Sequence, residues 1–422
     1  MDRVYYSLYG RLLSREALTQ AFRHVQRAKG AAGIDGQSLS DFALQLDEEL
    51  DRLLLELKTK QYRPQPVRRV EIPKDDGGIR LLGVPTVRDR VVQQALRHVL
   101  EPIFDPHFHP SSYGYRKGRS GQQAIAKASM FIRDYSRHWV VDMDLSKCFD
   151  RLDHELILVG VRRRVADGSI LTLLQQFLGS GVMVGERFEP SELGSPQGGV
   201  ISPLLANIYL DAFDQYMMAR GHRIVRYADD ILILCSSQAA AHNALRVASG
   251  YLEEELKLTV NGSKTHVAHS DDGVKFLGVE ILTNYTRIQA GKVERFKQRV
   301  KQLTPRGGGK PLPSVLVDLN PVLRGFSQYF RVANCKRQFE GLMAWIRRRL
   351  RAIQLKLWKT SSRLRRRLRQ VGVEPGFKSI KMNSWRNANS PPASMAMRNR
   401  WFHEELGLYD MSSIETGVLV PV

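Results

Sequence analysis

The sequence predicts an α+β protein whose antiparallel strands carry the chemistry, followed by an all-helical, strongly basic segment. Three observations predict it. Short apolar, β-branched runs ending in carboxylates occur twice, at residues 140–150 (VVDMDLSKCFD) and 225–235 (VRYADDILILC). Around them lie stretches of helical period too long to be strands. Charge is also segregated. Residues 291–370 hold 22 Lys and Arg against three acids, a net of +19, whereas the other residues of this 422-residue, +21 chain net only +2. At this length two to four domains are expected.

The first 60 residues read as helices. Leu12, Leu13, Ala17, Leu18, Ala21, Phe22 and Val25 fall at helical spacing behind Ser14, a natural N-cap, and Ser40 is expected to cap a second helix ending near Thr59. Residues 62–73 are extended by their prolines, and KDDGGIRLLGVP reads as a hairpin bending at Asp-Gly-Gly. Lys74 and Arg80 bracket that bend: they are either a pair of cations for a triphosphate or an ordinary solvated turn. Thr86 caps the next helix. Residues 111–120, SSYGYRKGRS, mix tyrosines with Arg116, Lys117 and Arg119, a combination suited to a single-stranded backbone because rings stack on bases while cations meet phosphates. A helix over about 121–135 precedes the first carboxylate strand.

In that strand Asp142 and Asp144 point to one face. Phe149, five residues beyond Asp144, is spaced to pack under an incoming sugar, or else fills the core. LGSPQGGVISPLLAN (193–207) places glycines and the Gln197 amide in a loop before a helix starting at Ser202-Pro203. Asp229 and Asp230 then sit at the bend of a strand–turn–strand, where adjacent carboxylates repel unless a cation lies between them. Together with Asp144 they can hold a pair of divalent ions for in-line phosphoryl transfer to a 3′-hydroxyl. After a helix over 238–256, Lys264 lies on a loop, either as proton donor to a leaving pyrophosphate or as a surface lysine. Residues 274–282 alternate as a strand. In the basic segment Leu342, Ile346, Leu350, Ile353 and Leu357 form a helical stripe, with Arg347, Arg348, Arg349 and Arg351 mostly off it. These arginines are expected to face RNA.

Three scattered cysteines without a CxxC pair argue against disulfides and structural zinc. No signal peptide and no run of about 18 apolar residues is present, so a soluble, intracellular protein with no membrane partner is expected. The basic excess makes nucleic acid the expected partner.

Taken in order, IPKDDGGIRLLGVPTVRDRVVQQA, SYGYRKGRSGQQAI, VVDMDLSKCFDRLDH, GSPQGGVISPLLANIYLD, YADD, LKLTVNGSKT and VKFLG resemble a bacterial group II intron-encoded reverse transcriptase and maturase, of the compact, IIC-like class without an endonuclease domain. The resemblance implies a right-hand polymerase: an N-terminal helical extension (1–60), fingers (61–140), an antiparallel-sheet palm backed by helices (141–285), a helical basic thumb and maturase domain (286–371) and a short DNA-binding tail (372–422). It implies two Mg²⁺, replaceable by Mn²⁺, on Asp144, Asp229, Asp230 and the Leu145 carbonyl. Lys74, Arg80, Phe149 as steric gate and Gln197 would hold the dNTP, Lys264 would be general acid, and Phe276, Leu277 and Gly278 would grip the primer. Arg116, Arg119, Arg347, Arg348 and Arg351 would contact template or intron RNA, and residues 33–36 would lie over template. Expected partners are intron RNA or another RNA template, a DNA primer or target, and dNTPs, in the bacterial cytoplasm near the nucleoid, as monomer or dimer. A host-adopted polymerase without an intron, or a non-catalytic splicing factor, are the alternative readings. The charge distribution yields a direct test: RNA affinity should drop steeply with salt and collapse when residues 291–370 are deleted. A flat salt response in a filter-binding titration would contradict it.

Overall fold

The structure, a computed structural model, describes residues 3–73, 78–185, 187–190, 193–194 and 198–417. Lys74 and Gln197 lie outside the described residues. The chain forms two units, one of residues 1–124 and 135–269, the other of residues 125–134 and 270–422.

Ser14 caps α1 (Arg15–Ala28) by accepting the Ala17 N–H. The second helical stretch is broken: α2 (Leu39–Leu44) and α3 (Leu46–Lys58) meet at Gln45. Its cap is Ser38 rather than Ser40, because Ser38 and Asp41 satisfy each other's backbone in a capping box. Then come β1 (Val67–Pro73), β2 (Ile79–Val84), α4 (Val87–Phe104), capped by Thr86, and α5 (Gly121–Arg133). With β4 (Val182–Val184) and β5 (Arg187–Glu189) the first two strands form a small sheet in the order β2-β1-β4-β5.

A second four-stranded sheet carries the acidic runs. It is built from β3 (Trp139–Met143), β6 (Arg223–Tyr227), β7 (Asp230–Cys235) and β8 (His266–His269), ordered β6-β7-β3-β8 and antiparallel throughout. Alternation sends Val141, Met143, Ile231 and Ile233 into the main core. That face is covered by α9 (Gln238–Gly250), which packs on β3, β7 and β8, and α8 (Ser202–Ala219) meets β6. Behind α8 lies α6 (His154–Arg162), capped by Asp153, and next to it α7 (Gly168–Leu178).

One buried cation ties this sheet to its surroundings. Arg226 and Asp214, each fully buried, form a forked ion pair: Nε donates to both carboxylate oxygens at 2.9 Å and Nη2 to Oδ2 at 2.6 Å. The remaining Nη1 donates to Asn207 Oδ1 and to the Ala228 carbonyl, both at 3.0 Å. Burial opposes the guanidinium's charge, but Asp214 outweighs it and the pKa of Arg226 rises.

In the second unit a three-stranded sheet of β9 (Val274–Phe276), β10 (Val279–Ile281) and β11 (Thr286–Ile288) leads into helices α10 (Ala290–Leu303), α11 (Leu312–Phe330), α12 (Lys336–Trp358) and α13 (Ser361–Gln370). The tail carries α14 (Pro391–Ala396) and packs on α12 and α13. The three cysteines are buried and free. Among the described residues no helix is long and apolar enough to cross a membrane.

Removing one member of a buried pair strands the other, so Arg226→Met should cost about 3–5 kcal/mol. Adding Asp214→Leu should restore most of it. Urea melts of the single and double variants check this; equal melting of parent and Arg226→Met would show that the pair is dispensable.

Candidate active site

The carboxylates converge because of register. Asp142 faces Leu232 and Met143 faces Ile231 across the β3–β7 ladder, which sets Asp144 level with Asp230 as the ladder ends. On the other side Asp142 faces His266, so the same count sets Lys264 level with Asp144. Alternation puts Asp142, Asp144 and Asp230 on the sheet face away from α9. Lys264 Nζ lies 3.6 Å from Asp144 Oδ2. Asp144 Oδ2 also accepts from Asn261 Nδ2 at 2.8 Å.

Asp229 occupies the turn beside Ala228, which takes a left-handed φ of +59°. An alanine tolerates that conformation only when its surroundings impose it. Two contacts do: the Arg226 bond to the Ala228 carbonyl, and the loop at residues 111–114 lying against the turn. Tyr113 N–H donates to the Arg226 carbonyl and Arg226 N–H to that of Ser111, both at 2.9 Å. A Cβ on Gly114 would stand 2.3 Å from the Ala228 nitrogen, so only glycine fits, and Asn207 Nδ2 holds the Gly114 carbonyl at 2.9 Å.

The electrostatics are those of crowded acids. Stripping of water pushes the Asp230 carboxyl up to about 7, with Asp229, Asp142 and Asp144 adding repulsion and Lys264 opposing it. Asp142 is pushed up to about 6 by burial, offset by His266 and reinforced by Asp144. Burial also raises Asp229, and Asp144 adds to it, while Arg80 and Arg226 pull it back. Among the described residues no three His, Cys, Asp or Glu side chains form a ready-made metal cage. The donor set nonetheless suits hard divalent cations, since oxygen ligands that repel one another are relieved by a shared positive charge.

The structure therefore brings Asp144, Asp229, Asp230 and Lys264 together, with Arg80 in electrostatic reach of Asp229. Leu145, buried, bridges to Val260 beside them. Phe149 is 8% exposed, and Tyr115 meets it edge-on with ring centroids 6.0 Å apart. Tyr115, 48% exposed, is the ring more open to solvent; burial and the charges of Asp229 and Asp230 raise its phenol pKa. Tyr115, expected to stack on a nucleic-acid strand, lies instead against Phe149, a contact that local sequence does not signal. A Cβ on Gly198, at φ +115°, would stand 2.3 Å from the Gly83 carbonyl oxygen, so this glycine lies directly against β2. Phe276, Leu277 and Gly278 lie in the second unit, where Leu277 and Gly278 form the two-residue, positive-φ bend of the β9–β10 hairpin.

Several cations differ from expectation. Arg116 is buried and donates to Asp105 (2.7 Å) and to the carbonyls of Asp105, His109 and Ser112, so it braces its own loop instead of meeting template. Arg119 stacks over Tyr113 at 5.5 Å. Arg351 is likewise buried: it donates to the Met397 carbonyl and Asn399 Oδ1 and lies over Phe402. Arg347 is half-buried, with Nη1 3.3 Å from His403 Nε2. Met343, Arg347 and Arg351 share a helix face, at i, i+4 and i+8, and the C-terminal tail covers it. The stripe of leucines and isoleucines had shown only one packed side of this helix. Arg349 donates to Thr304, so of the four arginines of this helix expected to face RNA, Arg348 alone has no partner among the described contacts.

Comparison with known proteins agrees with this geometry. Residues 72–281 match the family described as reverse transcriptase (RNA-dependent DNA polymerase), and residues 293–372 match the group II intron maturase-specific domain. Protein YkfC of Escherichia coli is 36% identical over 311 residues, covering 64% of this chain and 82% of that one. The chain belongs to the group II intron reverse transcriptases. Group II intron-encoded protein LtrA of Lactococcus lactis is 26% identical over 77% of this chain, which spans 63% of LtrA. Among solved structures, telomerase from Candida albicans with a telomeric RNA fragment aligns with TM-score 0.42 and 14% identity, over 71% of this chain and 62% of that one. This reverse transcriptase is thus an RNA-directed DNA polymerase with a maturase domain, a binder of nucleic acid including intron RNA, and dependent on divalent metal.

The raised carboxyls fix a pH response. The folded state holds protons that the unfolded chain gives up between about pH 4 and 7, so their stabilisation is complete below the ordinary carboxylate pKa and is lost as pH rises through the folded values. Without divalent cation, Tm should decline from pH 5 to pH 8, and Asp230→Asn should flatten the decline. A Tm that rises over that range in parent and variant alike would refute the crowded-acid picture.

Proposed function

We propose that Asp144, Asp229 and Asp230, with the Leu145 carbonyl, hold two Mg²⁺ ions at the end of the antiparallel sheet and that dNTPs are joined to a DNA primer there. The observation that carries this reading is the register that sets Asp144 level with both Asp230 and Lys264. With Mg²⁺ or Mn²⁺ held there, these carboxylates would position the positive charge that lowers the pKa of a primer 3′-hydroxyl and offsets charge on a departing pyrophosphate. Arg80, already within reach of Asp229, meets the triphosphate together with Lys74. Phe149, braced by Tyr115, lies under the sugar and excludes a 2′-hydroxyl, and Gln197 sits by the nascent pair. Lys264, whose side chain is 61% exposed while its amine is held beside Asp144, gives a proton to the leaving pyrophosphate. Phe276, Leu277 and Gly278 steady the primer. Arg348, with the solvent-facing cations of residues 291–370, grips the intron RNA that serves as splicing substrate and template, and the tail meets target DNA during insertion, in the bacterial cytoplasm.

Asp229→Ala tests the core of this reading. It should lower primer extension on an RNA template by several orders of magnitude, because a metal ligand is removed, while RNA binding by the basic segment persists. Parental dNTP incorporation by the variant would sink the two-metal assignment.

A further inference from the structure

The turn immediately before β8, residues 261–265, grips Asp144 at three separate atoms. The Asp144 N–H donates to Thr265 Oγ1 at 3.2 Å. The Asp144 carbonyl accepts the Asn261 N–H at 2.8 Å. The carboxylate Oδ2 accepts Asn261 Nδ2, also at 2.8 Å. Asn261 spends its other polar atoms inside the turn. Its carbonyl accepts the N–H groups of Lys264 (3.1 Å) and Thr265 (2.8 Å), and its Oδ1 accepts the Ser263 N–H (3.2 Å) and hydroxyl (2.8 Å). One residue therefore fixes both the rotamer of Asp144 and the backbone that presents Lys264 to the same oxygen.

We infer that Asn261 is a positioning residue for nucleotidyl transfer, holding the Asp144 carboxylate and the Lys264 amine at a set separation. The inference rests on the reading of Asp144 as a metal ligand. With Oδ2 committed to the Asn261 amide, Asp144 offers Oδ1 to a cation and cannot rotate freely, which is how outer partners of ligating carboxylates raise affinity. The residue type follows from the chemistry. A neutral amide supplies an acceptor to Ser263 and a donor to the carboxylate at once. Aspartate keeps the acceptor but places a further negative charge against Asp144, and alanine supplies neither. A role limited to shaping the turn would need only the Oδ1 acceptor, because an Asx-type turn uses that atom alone.

The test compares Asn261→Ala, Asn261→Asp and Asp144→Asn with the parent, using the full chain. Mn²⁺ binding is read by electron paramagnetic resonance without nucleotide or primer, and kcat and dNTP KM are read by primer extension on RNA. Asn261→Ala should weaken Mn²⁺ binding and lower kcat, each by about ten- to hundredfold, with dNTP KM within about twofold of the parent. Asn261→Asp, which retains the turn's acceptor, should melt like the parent and still lose kcat by about tenfold or more at saturating metal. That variant decides the matter should Asn261→Ala unfold. Parental kcat in Asn261→Asp, or parental Mn²⁺ binding in a folded Asn261→Ala, would reduce Asn261 to a turn former. If instead Asp144→Asn binds Mn²⁺ as the parent does, the ligand assignment fails, and the clamp's catalytic role fails with it.

Discussion

A guanidinium with no solvent contact organises this polymerase. Arg226 sits where four segments meet: its own strand, α8 through Asp214 and Asn207, the loop at residues 111–114, and the turn through Ala228. Desolvating such a charge is tolerated only with near-complete pairing, and the fork to Asp214 plus two further acceptors provide it. The site depends on that arrangement. Asp229 and Asp230 follow directly after a left-handed alanine whose carbonyl is held by the same cation. What looks like a four-residue motif is the visible part of a network reaching back to Gly114 and forward to Asp230.

The sequence made the local parts legible. Strands ending in carboxylates, the caps at Ser14 and Thr86, and the apolar stripe of α12 all follow from short-range rules, and each is where those rules put it. Ser38 rather than Ser40 starts the second helix because Asp41, three residues on, returns its side chain to the Ser38 backbone. The illegible part was the fate of individual cations. Arg116, Arg226 and Arg351 are buried by partners, and for Arg226 and Arg351 these include residues distant in sequence; nothing about an arginine's own neighbours says which face will be covered. Tyr115 and Asn261 escaped for the same reason: each acts on a residue more than thirty positions away, Phe149 and Asp144 respectively.

The basic segment consequently has two roles. Part of its charge is internal cement. Arg349 donates to Thr304 and lies over Trp345 and Trp385, Arg306 also lies over Trp385, and Arg367 donates to the Ala396 carbonyl. Cation–π contacts of this kind fasten the tail to the helices with side chains that net charge alone would assign to nucleic acid. The electrostatic attraction felt by RNA is thus carried by a smaller set of cations than composition implies.

The long reach of these contacts bears on how the protein is made. Asn207 bonds Gly114 across 93 positions and Asn261 bonds Asp144 across 117. Such closures form slowly, because the chain entropy of a large loop is lost before the contact rewards it. On the ribosome the early strand and the aromatic loop emerge well before their partners. The β6–β7 hairpin can close on its own, but its acids stay unmatched until residue 265 has left the exit tunnel. The acids of this sheet and the lysine beside them are therefore assembled late, once synthesis has passed residue 269, where the first unit ends.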